Sequence, residues 1–92
     1  MSKLNYTYHA KNRALERSIP FSVIEFIYLY GKSFQTHEHK KYFFNRSLLR
    51  KYFFIDRSFI KKYEKQILNT ALVCNGNFLI TVMKKSRFKR WN

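Results

Sequence analysis

The sequence predicts an α+β fold in which two N-terminal helices pack on a four-stranded antiparallel sheet, with a helical insert between the second and third strands. Three patterns support this prediction. The first third of the chain has helical periodicity, two strand-rich regions flank a second helical region, and an Asn-Gly pair divides the last apolar stretch. Because the helices precede an antiparallel sheet, we expect them on one face of it. The 92 residues are enough for one domain, 1–92, ending in a basic tail at 84–92.

The first helix is expected to follow a short polar lead at 1–6. Asn5 or Thr7 can cap it, because both side chains accept a hydrogen bond from a free N–H of the first helical turn. The periodic pattern continues to about Arg17. Pro20 then interrupts it, so a separate second helix is predicted.

The second helix is predicted at 21–30, with a wide aromatic side suited to covering a sheet. Gly31 follows its last periodic residue, where a left-handed residue commonly ends a helix. The next residues alternate and are rich in strand formers, which predicts strands at about 32–36 and 41–45 joined by a His-rich turn.

The insert is predicted at 46–66, where apolar residues recur at intervals of three and four and basic residues cover the opposite side. Asp56 or Ser58 can start a second helix, so we expect two short helices or one kinked helix. A strand at 52–55 is the competing interpretation.

The last two strands are predicted at 67–74 and 78–84. Asn-Gly between two such runs is the strongest short-range signal of a β-hairpin. The tail that follows interleaves basic residues with Phe88 and Trp91, which suits phosphate contact with base stacking. A tail that simply packs Trp91 on the core is the alternative.

The net charge of +14, from 19 Lys and Arg against 5 Asp and Glu, indicates an anionic partner. A field of this sign attracts polyanions and speeds their encounter with the protein. Nucleic acid is therefore the expected partner. An anionic membrane surface, an acidic protein and a basic surface that only aids solubility remain as alternatives.

Several classes of protein are disfavoured by the residues present. Cys74 is the sole cysteine and lies in an apolar run, which predicts a buried thiol and no disulfide. Of the histidines, His37 and His39 share a turn without a nearby third ligand, so neither a metal nor another cofactor is expected. The five carboxylates are spread singly, which disfavours paired-carboxylate and two-metal hydrolases. With no signal peptide and no membrane-length apolar segment, we expect a cytoplasmic protein with no membrane partner.

The chain contains, in this order, HA-x2-R-x3-R-S-I, YGK, an aromatic strand, a basic insert and LITV-x-KK. Over about 9–89 this pattern resembles the DUF4258-type family of small bacterial proteins. That family is grouped with the RelE-like and barnase/colicin-like ribonuclease fold, which includes many toxins of toxin–antitoxin modules. The resemblance implies a small RNA-cleaving toxin, a metal-independent endoribonuclease. It also implies an acidic antitoxin as a protein partner and the ribosome as a further candidate.

Metal-free RNA cleavage needs a base for the 2′-hydroxyl proton, cations for the charge on phosphorus and an acid for the leaving oxygen. His9 is the best candidate for acid/base catalysis, because Arg13 and Arg17 follow at intervals of four and share one ridge of a helix. The resemblance supports these three residues and adds Thr81, which matches a recurring Thr of the family. In the alternative interpretation His9 caps or pairs locally, Arg17 pairs with a nearby Glu, and Thr81 is an ordinary strand residue.

Basic residues outside that ridge are predicted to contact the nucleic-acid backbone, with one aromatic for base stacking. They are Lys11, Arg46, Arg50, Lys84, Lys85, Arg87, Lys89, Arg90 and Trp91. Lys84 and Lys85 leave the last strand on opposite faces, so at most one of them can reach a shared site. A non-catalytic RNA- or DNA-binding module would use the same surface. A small protein that docks on an acidic surface or on the ribosome is the third hypothesis.

Overall fold

The computed structural model describes residues 4–84, in which four helices and a five-stranded mixed sheet form an α+β fold. The sheet order is β1-β5-β4-β3-β2, with β1 parallel to β5 and the other neighbours antiparallel. The elements in chain order are β1 (Asn5–Tyr6), α1 (Tyr8–Glu16), α2 (Phe21–Tyr30), β2 (Lys32–Gln35), β3 (Lys40–Phe43), α3 (Arg46–Lys51), α4 (Arg57–Asn69), β4 (Thr70–Asn75) and β5 (Phe78–Lys84).

The predicted α+β class is confirmed, but the sheet and the placement of the helices need correction. The four predicted antiparallel strands correspond to β2–β5, and β1 adds a fifth, parallel strand within the segment expected to be a polar lead. The two N-terminal helices also contact different strands, although Ala10 and Ala14 of α1 belong to the same core cluster as Ile24 of α2. α1 packs along β5, whereas α2 packs over β3 and β4 beside α4. A two-residue strand carries no periodic signal, and helix placement depends on contacts distant in sequence.

Thr7, which was one of the two predicted candidates, is the N-terminal cap of α1. Its Oγ1 accepts from the Ala10 N–H at 3.2 Å. The helix ends in a left-handed Ser18, with φ of 54°. The N–H of Ser18 donates to Leu15 O at 3.1 Å and the N–H of Ile19 donates to Ala14 O at 2.9 Å. These two bonds satisfy carbonyls that a helix end otherwise leaves open, which is the Schellman arrangement.

The predicted α2 bounds are confirmed, but the reason given for Gly31 is wrong. Gly31 has φ of −70° and ψ of 162°, which is extended backbone that any residue adopts. Glycine is needed because a Cβ atom there would lie 2.4 Å from Ile27 O and 3.0 Å from Phe43 O. The chain therefore turns from α2 into β2 through a close backbone approach.

The insert consists of two helices, each with a side-chain cap. Asn45 accepts from the Leu48 N–H at 2.8 Å at the start of α3, and Asp56 accepts from the Phe59 N–H at 3.1 Å at the start of α4. The competing strand at 52–55 is wrong, because these residues form turns. The predicted strand at 67–74 begins too early, since 67–69 complete α4. A short apolar run does not distinguish a buried helix end from a strand.

The final hairpin is confirmed. Asn75 pairs with Phe78, which leaves Gly76 and Asn77 as a two-residue loop. Gly76 has φ of 59°, a conformation that glycine adopts at little cost.

The core lies between the sheet and the helices α2 and α4. Its largest fully buried side chains include Phe44, Ile24, Ile27, Ile60 and Ile67. Phe26 of α2 stacks on Phe44 with ring centroids 5.2 Å apart. Aromatic side chains thus provide much of the buried area in a short chain.

Cys74 is fully buried in this core, as predicted. Burial raises the pKa of its thiol to about 12.

The phenol of Tyr6 is half-buried, and its Oη donates to Glu25 Oε2 at 2.6 Å. Burial, reinforced by this hydrogen bond, raises the pKa of Tyr6 well above its usual range. Within residues 4–84, no helix is both long and apolar enough to cross a bilayer.

Candidate nucleic-acid site

The structure brings the predicted catalytic residues together with Lys84 in one shallow cleft. The helix α1 lies along β5, so its ridge of His9, Arg13 and Arg17 faces Thr81 and Lys84. The cleft has a volume of about 280 Å³. Residues more than sixty positions apart in sequence thus share one surface.

The exposed edge of β5 is what holds α1 in this place. β1 pairs with β5 only at Phe78 and Leu79, so the remaining edge carbonyls of β5 need other partners. Thr7 Oγ1 donates to Leu79 O at 2.8 Å near the start of α1. Beyond the other end, Arg17 Nη1 donates to Val82 O at 3.3 Å. The helix is thereby anchored at both ends, and its basic ridge is presented along the strand.

His9 lies at the outer part of the cleft and is exposed. Arg13 Nε donates to His9 Nε2 at 3.5 Å, which is a long hydrogen bond. The contact keeps the imidazole of His9 beside the guanidinium of Arg13, and an imidazole nitrogen without a proton can act as a general base. In the described part of the chain, no carboxylate bonds to His9.

The cations of the cleft are only weakly neutralised. Arg13 Nη1 lies 3.3 Å from Glu16 Oε1, with 42% and 62% of these side chains exposed. An exposed ion pair of this kind contributes only about 0–1 kcal/mol, so an incoming phosphate can compete for Arg13. Neither Arg17 nor Lys84 has an ion-pair partner among residues 4–84.

A second cleft continues from the first. It has a volume of about 420 Å³ and shares Arg17 and Lys84 with the first cleft. The C-terminal part of α4 forms its other wall, with Lys65, Gln66 and Asn69. The sequence analysis did not select these three residues, because only the packing of α4 brings them to α1, and no local pattern marks them.

The other predicted contacts are not part of these two clefts. Lys11 is exposed on α1 but lines neither. Arg46 and Arg50 line a separate cleft of about 220 Å³ between α3 and α4, where Arg46 pairs with Glu64 at 3.6 Å. The rest of the predicted contacts lie outside the described residues: Lys85, Arg87, Lys89, Arg90 and Trp91.

Among residues 4–84, no three His, Cys, Asp or Glu side chains gather in a way that could hold a metal ion. His37 and His39 lie in the turn between β2 and β3, where Thr36 Oγ1 donates to His39 O at 2.9 Å.

Comparison of the chain with protein-family models, with curated proteins and with solved structures found no match. The resemblance to the DUF4258-type family thus rests on the motifs and their order alone.

Proposed function

We propose that this protein is a small RNA-cleaving toxin of a toxin–antitoxin module, a metal-independent endoribonuclease related to the DUF4258-type and RelE-like proteins. One observation carries the proposal. The imidazole of His9 shares a single cleft with Arg13, Arg17, Thr81 and Lys84. A base and cations are two of the three components that metal-free cleavage of RNA requires, and the third is an acid for the leaving oxygen.

The reaction proceeds by attack of the RNA's own 2′-oxygen on the adjacent phosphorus. His9 Nε2 takes the proton of the 2′-hydroxyl, the new bond from O2′ to phosphorus forms, and the bond from phosphorus to O5′ breaks. The products are a 2′,3′-cyclic phosphate and a 5′-hydroxyl. O5′ takes its proton from a water molecule, and the hydroxide formed from that water removes the proton from His9, which returns to its starting form. Arg13, Arg17 and Lys84 stabilise the additional negative charge on the phosphoryl oxygens, and the Thr81 hydroxyl donates to one of them.

The partners follow from the same surface. RNA is the substrate, and an acidic antitoxin would cover the positive face that contains the cleft. The ribosome is a further candidate partner, since its RNA offers the same phosphate chemistry. The charge supports this proposal: the full chain carries +14, and among the cations that line the first cleft only Arg13 has an ion-pair partner within residues 4–84.

The test is inducible expression in bacteria of the wild type, of His9→Ala and of His37→Ala as the matched control, with growth and the 5′ ends of cellular RNA as readouts. His37 is exposed in the turn between β2 and β3. We expect growth arrest and new RNA ends from the wild type and His37→Ala, and their loss in His9→Ala, because removing a general base costs about 10²–10⁴-fold in rate. Normal growth with intact RNA, while folded wild-type protein accumulates, would contradict the proposal.

A non-catalytic RNA- or DNA-binding module is the second candidate. The exposure of His9 favours it, as does the lack of a carboxylate bonded to this ring within the described residues. Catalytic histidines are commonly oriented by such a group. Arg13→Ala weakens RNA binding in either case. His9→Ala separates the two candidates, because a binding module has no turnover to lose.

A further inference from the structure

The second cleft differs from the first in its chemistry. Its near side carries the shared cations Arg17 and Lys84, whereas the rest of its lining combines Lys65 with the carboxylate of Glu16 and the amides of Gln66 and Asn69. Its volume of about 420 Å³ lies within the ~300–1,000 Å³ of small-ligand sites. This mixture of cations and hydrogen-bonding groups suits a ligand that has both anionic and polar, uncharged parts.

The wall of this cleft is held in an unusual conformation. Ser18 has φ of 54°, which is rare for a residue other than glycine. Gln66 Nε2 donates to Ser18 O at 2.9 Å and so ties the end of α1 to α4 across the cleft. The left-handed Ser18 belongs to the Schellman end of α1, so this hydrogen bond fixes the helix end relative to α4.

Hydrogen-bonding capacity remains free on this wall. The Gln66 amide uses its N–H₂ group on Ser18, which leaves its oxygen as an acceptor. The Asn69 side chain is exposed, and within residues 4–84 it makes no side-chain hydrogen bond. Among residues 4–84, the Glu16 carboxylate is bonded only through its exposed pair with Arg13.

Beside Lys65, the lining of this cleft includes two helix ends that offer hydrogen-bond acceptors. α1 ends at Glu16 and α4 ends at Asn69, so both present carbonyl ends, which carry partial negative charge. Together with the Glu16 carboxylate, these groups favour a hydrogen-bond donor on the ligand. A nucleobase with an exocyclic amino group provides that donor, and a phosphate does not.

We infer that the second cleft is a base-recognition subsite, which takes the nucleotide adjacent to the scissile phosphate and prefers a base with an exocyclic amino group. Lys65, Arg17 and Lys84 contact the flanking phosphates, while Asn69 and Glu16 bind the base edge. An Asn amide can pair with adenine through its N6 and N7 atoms. This inference rests on the proposed function, because the clefts share Arg17 and Lys84 as their common phosphate contacts.

The test measures binding, so it does not depend on cleavage. Fluorescein-labelled 2′-fluoro heptamers, which lack the attacking hydroxyl, are compared by anisotropy: all-uridine against the same heptamer with one central adenine, cytosine or guanine. For the wild type we expect at least one amino-bearing base to bind about tenfold more tightly than all-uridine. Asn69→Ala is expected to reduce this ratio to within about twofold while affinity for all-uridine is kept.

Two further variants make the test specific. Glu16→Gln removes the negative charge but keeps an acceptor, and we expect a partial loss of the ratio. Asn75→Ala, at the end of β4 and exposed, is the matched control and is expected to keep the full ratio. Thermal unfolding of each variant checks that the fold is intact.

The outcomes separate the subsite from the proposed function. Tight wild-type binding with the four heptamers within twofold of each other overturns the subsite and leaves RNA binding in place. A tenfold ratio that persists in Asn69→Ala also overturns the assigned role of Asn69 and the location of the subsite. If the wild type binds none of the heptamers at low salt, RNA binding itself is refuted, and the inference with it.

Discussion

Removal of the Arg17 charge by Arg17→Gln tests whether RNA binds in the clefts or simply anywhere on a basic protein. Arg17 lines both clefts and has no ion-pair partner within residues 4–84. Four cations line the combined surface, and they are Arg13, Arg17, Lys65 and Lys84. Arg17→Gln therefore removes one of four contacts that a bound strand would make with phosphates.

The expected size follows from release of counterions. For single-stranded nucleic acid, each neutralised phosphate contributes about −0.7 to the slope of log affinity against log salt concentration. The four cations together contribute about −2.8 to this slope. A slope of that size corresponds to an affinity loss of about 50-fold when the salt concentration rises from 50 to 200 mM. With Arg17 removed their contribution is about −2.1, and the same change in salt costs about 18-fold.

The assay is fluorescence anisotropy with a labelled single-stranded RNA at four salt concentrations between 50 and 200 mM. The slope difference of about 0.7 between the wild type and Arg17→Gln is the measured quantity. Because Arg17 also donates to Val82 O at 3.3 Å, thermal unfolding has to show that the variant remains folded. Lys84→Gln, which removes a different cation of both clefts, is expected to give a slope change of the same size.

Lys32→Gln is the control that decides between the two explanations. Lys32 is exposed on β2 at the opposite edge of the sheet, three strands from β5. Three strand spacings are about 14 Å, which exceeds the screening length of about 10 Å at 0.1 M salt. We expect its slope to equal that of the wild type. A decrease as large as that of Arg17→Gln, or an unchanged slope in Arg17→Gln, would refute binding in the clefts.

Three further predictions concern the fold. Gly31→Ala is expected to lower the free energy of unfolding by about 1–2 kcal/mol and the Tm by about 5–15 °C. The reason is that its Cβ atom would lie 2.4 Å from Ile27 O. Urea unfolding of the variant that matches the wild type would disprove the close approach. The Cys74 thiol, whose pKa burial raises to about 12, is expected to react with a thiol reagent at pH 8 only after unfolding, so prompt labelling of folded protein would contradict its burial. Since the unfolded thiol ionises at lower pH, the wild type should also lose stability relative to Cys74→Ala as pH rises from 9 to 12.

Elements with local signals were predicted well. Pro20 separates α1 from α2, and apolar residues at helical intervals define α2 to its last residue. The hairpin at Gly76 follows from a two-residue loop whose backbone only a few residues adopt easily. Each of these signals acts within a few residues and is therefore readable along the chain.

Elements that depend on distant contacts were predicted poorly. β1 exists because Asn5 N–H donates to Asn77 O at 2.7 Å and the strand pairs with β5. The boundary between α4 and β4 lies inside one apolar run, where buried Ile67 suits either structure. The expectation for Gly31 failed for a related reason, since the constraint comes partly from Phe43 O on another strand.

By itself, the sequence determined the α+β class, the excess of positive charge and the ridge of His9, Arg13 and Arg17. Composition and helical spacing are local properties, so no partner element is needed to read them. Only the tertiary structure decided that this ridge meets Thr81 and Lys84, and that α4 adds Lys65 and Asn69 beside it. The physical reason is the short pairing of β1, which leaves carbonyls of β5 for Thr7 and Arg17 and so draws α1 onto the edge of the sheet.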